Sequence, residues 1–168
     1  MQRVPMTPAG KVRMQRELDR LKTVERPAIV AAIEEARAHG DLKENAEYHY
    51  AKDKQGMIEG KIREYETKLA LADVIDPLRL SGKRVSFGAT LRVMDLDQDE
   101  ESVYRIVGED EADFKNGLLN YLSPLARGFL GKEEGDEIEI ETAGGTRAFE
   151  ILEVRYVEIV LPELGTSR

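Results

Sequence analysis

The sequence contains no cysteine and no tryptophan, and only 6% of its 168 residues are aromatic. The absence of cysteine excludes disulfide bonds, thiolate nucleophiles and zinc sites with thiolate ligands. No apolar run approaches the ~20 residues that a membrane span requires, and Met1–Pro5 lacks the apolar core of a signal peptide. We therefore expect a soluble, cytoplasmic protein that does not contact membranes.

Acidic side chains outnumber basic ones. The chain has 25 basic and 33 acidic side chains, for a formal net charge of −8. Residues 1–77 hold 14 of each sign, so the whole acidic excess lies in residues 78–168. Non-specific affinity for nucleic acid comes from basic residues that neutralise phosphates. Contact with nucleic acid would therefore need a small basic patch or a protein partner.

Apolar periodicity in residues 1–77 predicts two long helices. Thr7 and Pro8 are typical of a helix start, as an N-cap followed by proline at the first helical position. Pro27 interrupts the spacing and predicts a kink or a short break. A four-three heptad seam follows at Ile58, Ile62, Tyr65, Leu69 and Ala72. Helices joined by a short connection run antiparallel, so we predict a coiled-coil finger of roughly 45 Å with residues 39–45 at its tip.

In residues 78–168 the pattern changes to the period of two that is typical of strands. The predicted strand segments are 85–87, 91–94, 103–107, 138–140 and 149–154. Ser123 and Pro124 indicate the start of a short helix that ends before Gly131. We therefore predict an α+β protein of two domains: a helical finger at 1–77 and a small antiparallel sheet domain with one short helix at 78–168.

The predicted tip carries two carboxylates three residues apart, Asp41 and Glu44. Mg²⁺ prefers oxygen ligands, and this pair could complete a metal site whose other ligands come from a partner. The spacing also fits a capping box with Asp41 as N-cap and Glu44 at N3, and spacing alone favours that interpretation. His39 and His49 flank the tip, and the simplest interpretation is surface histidines at a helix end.

Basic and aromatic side chains follow the tip. Arg37, Lys52 and Lys54 could form a basic spot for an RNA backbone, or only a solvated charged face. Tyr48 and Tyr50 could stack on a base or close the core of the coiled coil. The sequence has no glycine-rich phosphate loop, HExxH motif or nucleophile elbow. We therefore expect no complete active site of its own.

Several long segments closely resemble the bacterial Gre transcript-cleavage factors, in particular the GreA type. They are Ala36–His49, Val85–Thr90, Tyr104–Asp113, Ser123–Gly128 and Gly131–Asp136. The resemblance implies an antiparallel coiled coil followed by an FKBP-like domain. It also implies a factor that enters the secondary channel of bacterial RNA polymerase and stimulates the polymerase's own cleavage of backtracked nascent RNA. Such a factor rescues arrested complexes and is not itself an enzyme.

The resemblance further implies roles for individual residues. Asp41 and Glu44 match the acidic pair that holds Mg²⁺ jointly with the polymerase, so stable binding of the metal to the factor alone is not expected. Arg37 and Lys52 match the basic spot that contacts the 3′ end of the backtracked RNA. Because this spot is small, as in the GreA type, we expect the factor to act on short extruded RNAs.

Ser123 and Pro124 match the turn by which Gre factors dock on the largest catalytic subunit of the polymerase. Leu122 departs from the family pattern, in which Asn or Asp precedes Ser-Pro, and this leaves the detail of docking open. We expect the factor to act as a monomer.

Three other functions remain open from the sequence. A channel-binding protein with the Gre fold could inhibit transcription without promoting cleavage, although the tip sequence Gly40–Asn45 favours cleavage. A peptidyl-prolyl isomerase needs an aromatic-lined pocket, yet the chain has only four Phe and six Tyr. A generic coiled-coil adaptor explains the heptads but not the tip.

Overall fold

The computed structural model describes residues 2–40 and 45–163. These residues form two compact units: a helical unit of residues 12–71, and a sheet unit of residues 2–11 and 72–163. Within the described ranges, no helix combines the length and apolar character needed to cross a membrane.

The secondary structure confirms the predicted α+β class. The helical elements are α1 (Pro8–Arg20), a π-helical turn (Leu21–Glu25), α2 (Arg26–Arg37), α3 (Ala46–Ala70) and α4 (Pro124–Phe129). The strands are β1 (Val4–Met6), β2 (Ala72–Val74), β3 (Thr90–Asp95), β4 (Glu100–Val107), β5 (Leu118–Asn120), β6 (Glu137–Thr142) and β7 (Gly145–Arg155). Short 3-10 turns lie at Pro77–Arg79, Glu109–Glu111 and Phe114–Asn116.

Contacts between the two arms of the helical unit show that the arms run antiparallel. They join Lys22 to Glu66 at 2.7 Å, Arg26 to Glu59 at 2.8 Å, and Ala36 to Asn45 at 2.6 Å. The partner's residue number falls as the number on the first arm rises, which is the pattern of a helical hairpin. The predicted antiparallel finger is confirmed, and the 25 residues of α3 make it about 38 Å long.

The heptad seam is buried between the arms. The core of the helical unit contains Leu18, Leu21, Ile29, Ile33, Ala51, Ile58 and Ile62, with Tyr48, Tyr65 and Leu69 packed against it. Tyr48 therefore closes this core, whereas Tyr50 is 71% exposed. The last predicted seam residue, Ala72, lies in β2 instead of α3.

The irregularity predicted near Pro27 is the π-helical turn that precedes it. Proline has no N–H to donate, and its ring crowds the carbonyl four residues earlier. The wider turn accommodates this, because the Arg26 N–H donates to the carbonyl of Leu21, five residues back. The helical path thus continues from α1 into α2 instead of breaking.

The sheet unit is built on five strands in the order β5-β4-β3-β7-β6. All neighbours pair antiparallel except β4 and β5, which are parallel. A separate parallel pair joins β1 to β2 and so brings the first residues of the chain into this unit. The predicted strand 85–87 is not a strand: Arg84 makes an isolated bridge to Glu133, and the buried Val85 follows it without regular secondary structure.

The predicted short helix is α4, and it packs against the sheet core. Phe129 at its end and Phe149 of β7 are fully buried and meet edge to face, with ring centroids 5.4 Å apart. Gly128 lies against Ile140 of β6 so closely that an added Cβ would come within 2.4 Å of that side chain. This close approach holds the last turn of α4 against β6, and the predicted docking turn lies at the other end of the same short helix.

Candidate functional site

The tip of the helical unit lies between the end of α2 and the start of α3. Gly40 has a φ of +118°, in the left-handed region that glycine adopts without steric cost. The next described residue is Asn45, the N-cap of α3. Asp41 and Glu44, the predicted acidic pair, lie outside the described residues, and their roles stay predictions.

Asn45 joins the two helix ends. Its Oδ1 accepts a hydrogen bond from the N–H of Tyr48 at 3.0 Å, and its Nδ2 donates to the carbonyl oxygen of Ala36 at 2.6 Å. The sequence placed the start of this helix between Asp41 and Asn45, and the structure begins α3 at Ala46 with Asn45 as its N-cap. The capping-box interpretation of Asp41 and Glu44 lies outside the described residues. Asparagine is among the best N-cap residues, which explains why the helix starts directly after Asn45.

The predicted basic spot is organised around Tyr48. The Cζ of Arg37 lies 5.9 Å from the centroid of the Tyr48 ring, within the range of a cation–π contact. Lys52 lies one helical turn after Tyr48, on the same side of α3. Its ammonium contacts only a neutral amide in the bonds observed for it, the Oε1 of Gln55 at 3.2 Å. Arg37 and Lys52 are both exposed, and their role in binding RNA stays a prediction.

The histidines next to the tip do not form a metal site with the other described residues. Over residues 2–40 and 45–163, no three His, Asp or Glu side chains are grouped closely enough to hold a metal. His49 is exposed and meets Tyr48 edge to face, with ring centroids 5.6 Å apart. Any pairing of the histidines with Asp41 or Glu44 falls outside these ranges.

The predicted docking turn begins α4 and also borders an apolar groove. The Oγ of Ser123 accepts the N–H of Ala126 at 3.3 Å, and Pro124 is the first helical residue. Both residues line a groove of about 430 Å³ whose other walls include Phe114, Leu119 and Leu125. The turn therefore has a structural role and, at the same time, forms part of a surface that could receive an apolar side chain.

Phe114 is the most prominent groove residue that the sequence did not reveal. It is 63% exposed, and its ring stacks on Tyr104 with centroids 6.1 Å apart. Phe114 is the one aromatic side chain among the groove residues, so the groove does not provide the aromatic lining expected of a prolyl isomerase. A single exposed aromatic in a 3-10 turn has no periodic signal that would identify it beforehand.

The charge of Arg147, at the edge of the same groove, is neutralised within the protein. Its Nη2 lies 2.7 Å from the Oδ2 of Asp95, and its Cζ lies 4.9 Å from the Phe149 ring centroid. The hydrogen bond from Arg147 holds the pKa of the Asp95 carboxyl below its usual value, with further lowering from the N–H groups of Gln98 and Asp97. The groove therefore presents a mostly apolar surface.

Leu122, which departs from the expected family pattern, lies beside the groove. It is 41% exposed, and its N–H donates to the Oδ1 of Asn120 at 2.9 Å. Asn120 thus supplies the side-chain bond that shapes the turn before Ser123. The effect of Leu122 on docking stays open.

Comparison with known proteins matches both units of the chain. Residues 4–74 match the family described as transcription elongation factor, N-terminal, and residues 80–156 match transcription elongation factor, GreA/GreB, C-term. The transcription elongation factor GreA of Cereibacter sphaeroides is 58% identical over 157 residues, 94% of this chain and 100% of that protein. GreA of Caulobacter vibrioides is 57% identical over the same coverage.

Solved structures of Gre-type factors are also similar to the chain. The GreA factor homolog 1 of Thermus thermophilus has a TM-score of 0.42 at 22% identity, over 92% of this chain and 99% of that one. A GreA/GreB factor from Nitrosomonas europaea has a TM-score of 0.40, also at 22% identity, over 92% and 100%.

The helical hairpin and the sheet unit, each with its own family match, together define a transcription elongation factor. Within that class, the identity to GreA proteins over nearly the full length is decisive: the chain belongs to the GreA/GreB family.

Proposed function

We propose that this factor enters the secondary channel of bacterial RNA polymerase and stimulates the polymerase's own cleavage of backtracked RNA. The observation that carries the proposal is the end-to-end match to GreA proteins in a chain that retains the Gly40–Asn45 tip sequence. Cleavage removes the extruded RNA and leaves a new 3′ end in the polymerase active centre. The factor itself supplies part of a site and is not an enzyme.

Asp41 and Glu44 are the chemical groups that we assign to the tip. Their carboxylate oxygens are suitable ligands for Mg²⁺, which commonly uses one or two carboxylates and takes its other ligands from elsewhere. Mg²⁺ held jointly with the polymerase supplies Lewis-acid activation of the attacking water. The contribution of this chain is to present two acidic side chains at the end of a hairpin about 38 Å long.

Arg37 and Lys52 are assigned to the extruded RNA. Both are exposed, and they lie near Tyr48, which packs against the core of the helical unit. Two cations can neutralise two phosphates, which suits a short extruded RNA more than a long one. The remaining charge of the protein is strongly acidic, so this contact stays local to the tip.

The groove beside Ser123 and Pro124 is assigned to docking on the largest catalytic subunit of the polymerase. Its apolar lining and the exposed ring of Phe114 are suited to an apolar side chain of the partner. Aromatic anchors in desolvated pockets supply a large share of the binding energy in protein interfaces. Docking by the sheet unit would supply affinity, and the tip would supply the chemistry.

The proposal is tested with purified elongation complexes that have been backtracked by a few nucleotides. The native protein is added with Mg²⁺, and RNA labelled at its 5′ end is followed. We expect faster shortening of the RNA, release of a short 3′ fragment and renewed elongation when nucleotides are added. Polymerase without the factor, and the factor with free RNA, are the controls. Inhibition of elongation without any cleavage would contradict the proposal and indicate the channel-blocking alternative.

A further inference from the structure

We propose that Asn45 is a positioning residue for the tip, because its side-chain amide fastens the end of α2 to the start of α3. This inference rests on the proposed function, since the tip residues are the ones assigned to RNA cleavage. The inferred role of Asn45 is to keep the end of α2 and the start of α3 at one fixed distance from each other. The segment that carries the acidic pair connects these two helix ends.

The amide uses both of its hydrogen-bonding atoms. Oδ1 accepts the N–H of Tyr48, one of the donors that a helix start leaves unpaired. Nδ2 donates to the carbonyl oxygen of Ala36 in the last turn of α2, which also accepts the N–H of His39. Among the good N-cap residues, Asp has no donor, and Ser carries one shorter side-chain oxygen for both tasks.

The bond from Asn45 to Ala36 is short and partly buried. Ala36 is only 3% exposed, and the backbone hydrogen bond to its carbonyl from the N–H of His39 is longer, at 3.2 Å, than the 2.6 Å bond from Asn45. A short, partly buried bond constrains the two helix ends more strongly than a fully solvated surface bond would. The two arms are therefore tied at the tip as well as along their seam.

The two hydrogen bonds of Asn45 matter for function because the segment with the acidic pair begins and ends beside them. Gly40 directly precedes Asp41 in the sequence, and Asn45 directly follows Glu44. Tyr48, whose N–H is capped, is also the residue that Arg37 stacks against. Groups that act in a shared active site lose rate steeply when they are displaced by about 1 Å. Loosening the two helix ends should therefore lower the rate of cleavage more than it lowers affinity.

The test compares three substitutions in the backtracked-complex assay. Asn45→Asp keeps the N-cap acceptor but puts an oxygen opposite the Ala36 carbonyl, Asn45→Ser keeps a cap that does not reach Ala36, and Asn45→Ala removes both bonds. The cleavage rate at saturating factor and the half-saturating factor concentration are measured separately. Ala46→Asp is the matched control, because it adds an exposed negative charge one residue away and leaves both bonds in place.

For Asn45→Asp and Asn45→Ser, we expect the saturated cleavage rate to fall about ten-fold, with the half-saturating concentration changed by less than two-fold. Thermal melting should be close to that of the native protein, and Ala46→Asp should cleave within two-fold of it. If Asn45→Asp and Asn45→Ser cleaved RNA at the rate of the native protein, the inference would be overturned. This holds even if Asn45→Ala were impaired, because the bond to Tyr48 would then matter and the bond to Ala36 would not. A change confined to half-saturation would assign Asn45 to docking and also overturn it. If the native protein itself gave no cleavage, it would be the proposed function that failed.

Discussion

The carboxylate of Glu111 accepts hydrogen bonds from both the backbone N–H and the hydroxyl of Thr7, at 2.8 and 2.5 Å. Its other oxygen accepts the N–H of Gly108 at 2.7 Å, and Thr7 and Glu111 are 0% and 3% exposed. The Thr7 hydroxyl in turn accepts the N–H of Gly10 at 3.0 Å, which confirms Thr7 as the predicted N-cap of α1. One buried acid thus fixes the first helical turn to the sheet unit.

This network predicts a large effect of Glu111→Gln on stability. The amide would turn a donor toward an N–H that now has an acceptor, and we expect the free energy of unfolding to fall by about 2–4 kcal/mol. Urea unfolding of the sheet unit measures the change. Glu109→Gln, at an exposed position two residues earlier, is the control and should change the value by less than about 0.5 kcal/mol. Equal stability of the two variants would contradict the role given to Glu111.

The contact between Gly128 and Ile140 predicts that even a methyl group is too large at this position. Gly128→Ala would force its Cβ to 2.4 Å from the Ile140 side chain, and we expect a loss of about 1–3 kcal/mol. Gly56→Ala is the matched control in α3, where nothing lies within 4 Å of the added Cβ, and should stabilise by about 0.5–1 kcal/mol. Thermal unfolding of both variants tests the two opposite signs.

A second substitution tests whether crowding is the cause. If it is, Ile140→Ala should cost less in the Gly128→Ala protein than in the native one, because the added methyl group fills part of the space left by isoleucine. Strictly additive losses would contradict the packing explanation.

Asp95 predicts a defined pH dependence of stability. The pKa of Asp95 is lowered in the folded protein by Arg147. In the unfolded chain, an Asp has a pKa of about 3.9. The stabilisation from its charged form is therefore complete above that pH and is lost as the pH falls through the lower, folded value. Asp95→Asn should have a lower free energy of unfolding than the native protein at pH 7. The difference between the two proteins should become smaller below about pH 4. Denaturant unfolding at pH 7 and below about pH 4 measures this difference in the free energy of unfolding. In an Arg147→Met background, the difference should depend less on pH. A difference that is constant with pH would contradict the assignment.

The groove predicts that affinity for the polymerase can be lowered without changing the chemistry. Phe114→Ala removes an exposed ring at the groove wall, and we expect the half-saturating factor concentration to rise about ten-fold while the saturated cleavage rate is unchanged. Leu78→Ala is the control, since Leu78 is 65% exposed and does not line the groove. A similar effect of both variants, or a fall in the saturated rate, would contradict the docking assignment.

Features with a local signal were readable from the sequence. The heptad spacing identified Ile58 and Ile62 as core residues, and both are buried. The Ser123-Pro124 dipeptide identified the start of α4, because capping and a proline at the first position act within one turn. The alternation of apolar and polar residues identified β3, β4, β6 and β7, because this alternation is also a local signal.

Features that depend on distant contacts were not readable. Thr7 and Glu111 are 104 residues apart, and nothing near either one marks it as a partner of the other. The parallel pairing of β5 to β4 has no sequence signal, since three residues are too few for a period. The bond between Asn45 and Ala36 depends on how two helix ends meet, which is decided by packing along the whole hairpin.

The most direct measurement of the central claim is cleavage of backtracked RNA with the Asp41→Asn and Glu44→Gln variants. Each is compared with the native protein at saturating concentration with Mg²⁺, and polymerase binding is measured in the same samples by competition with labelled native factor. Glu47→Gln, an exposed acid in the first turn of α3, is the control for loss of charge. We predict that both tip variants bind like the native protein but lose stimulation by about 100-fold or more, while the control retains it. Full stimulation by either tip variant would contradict the account.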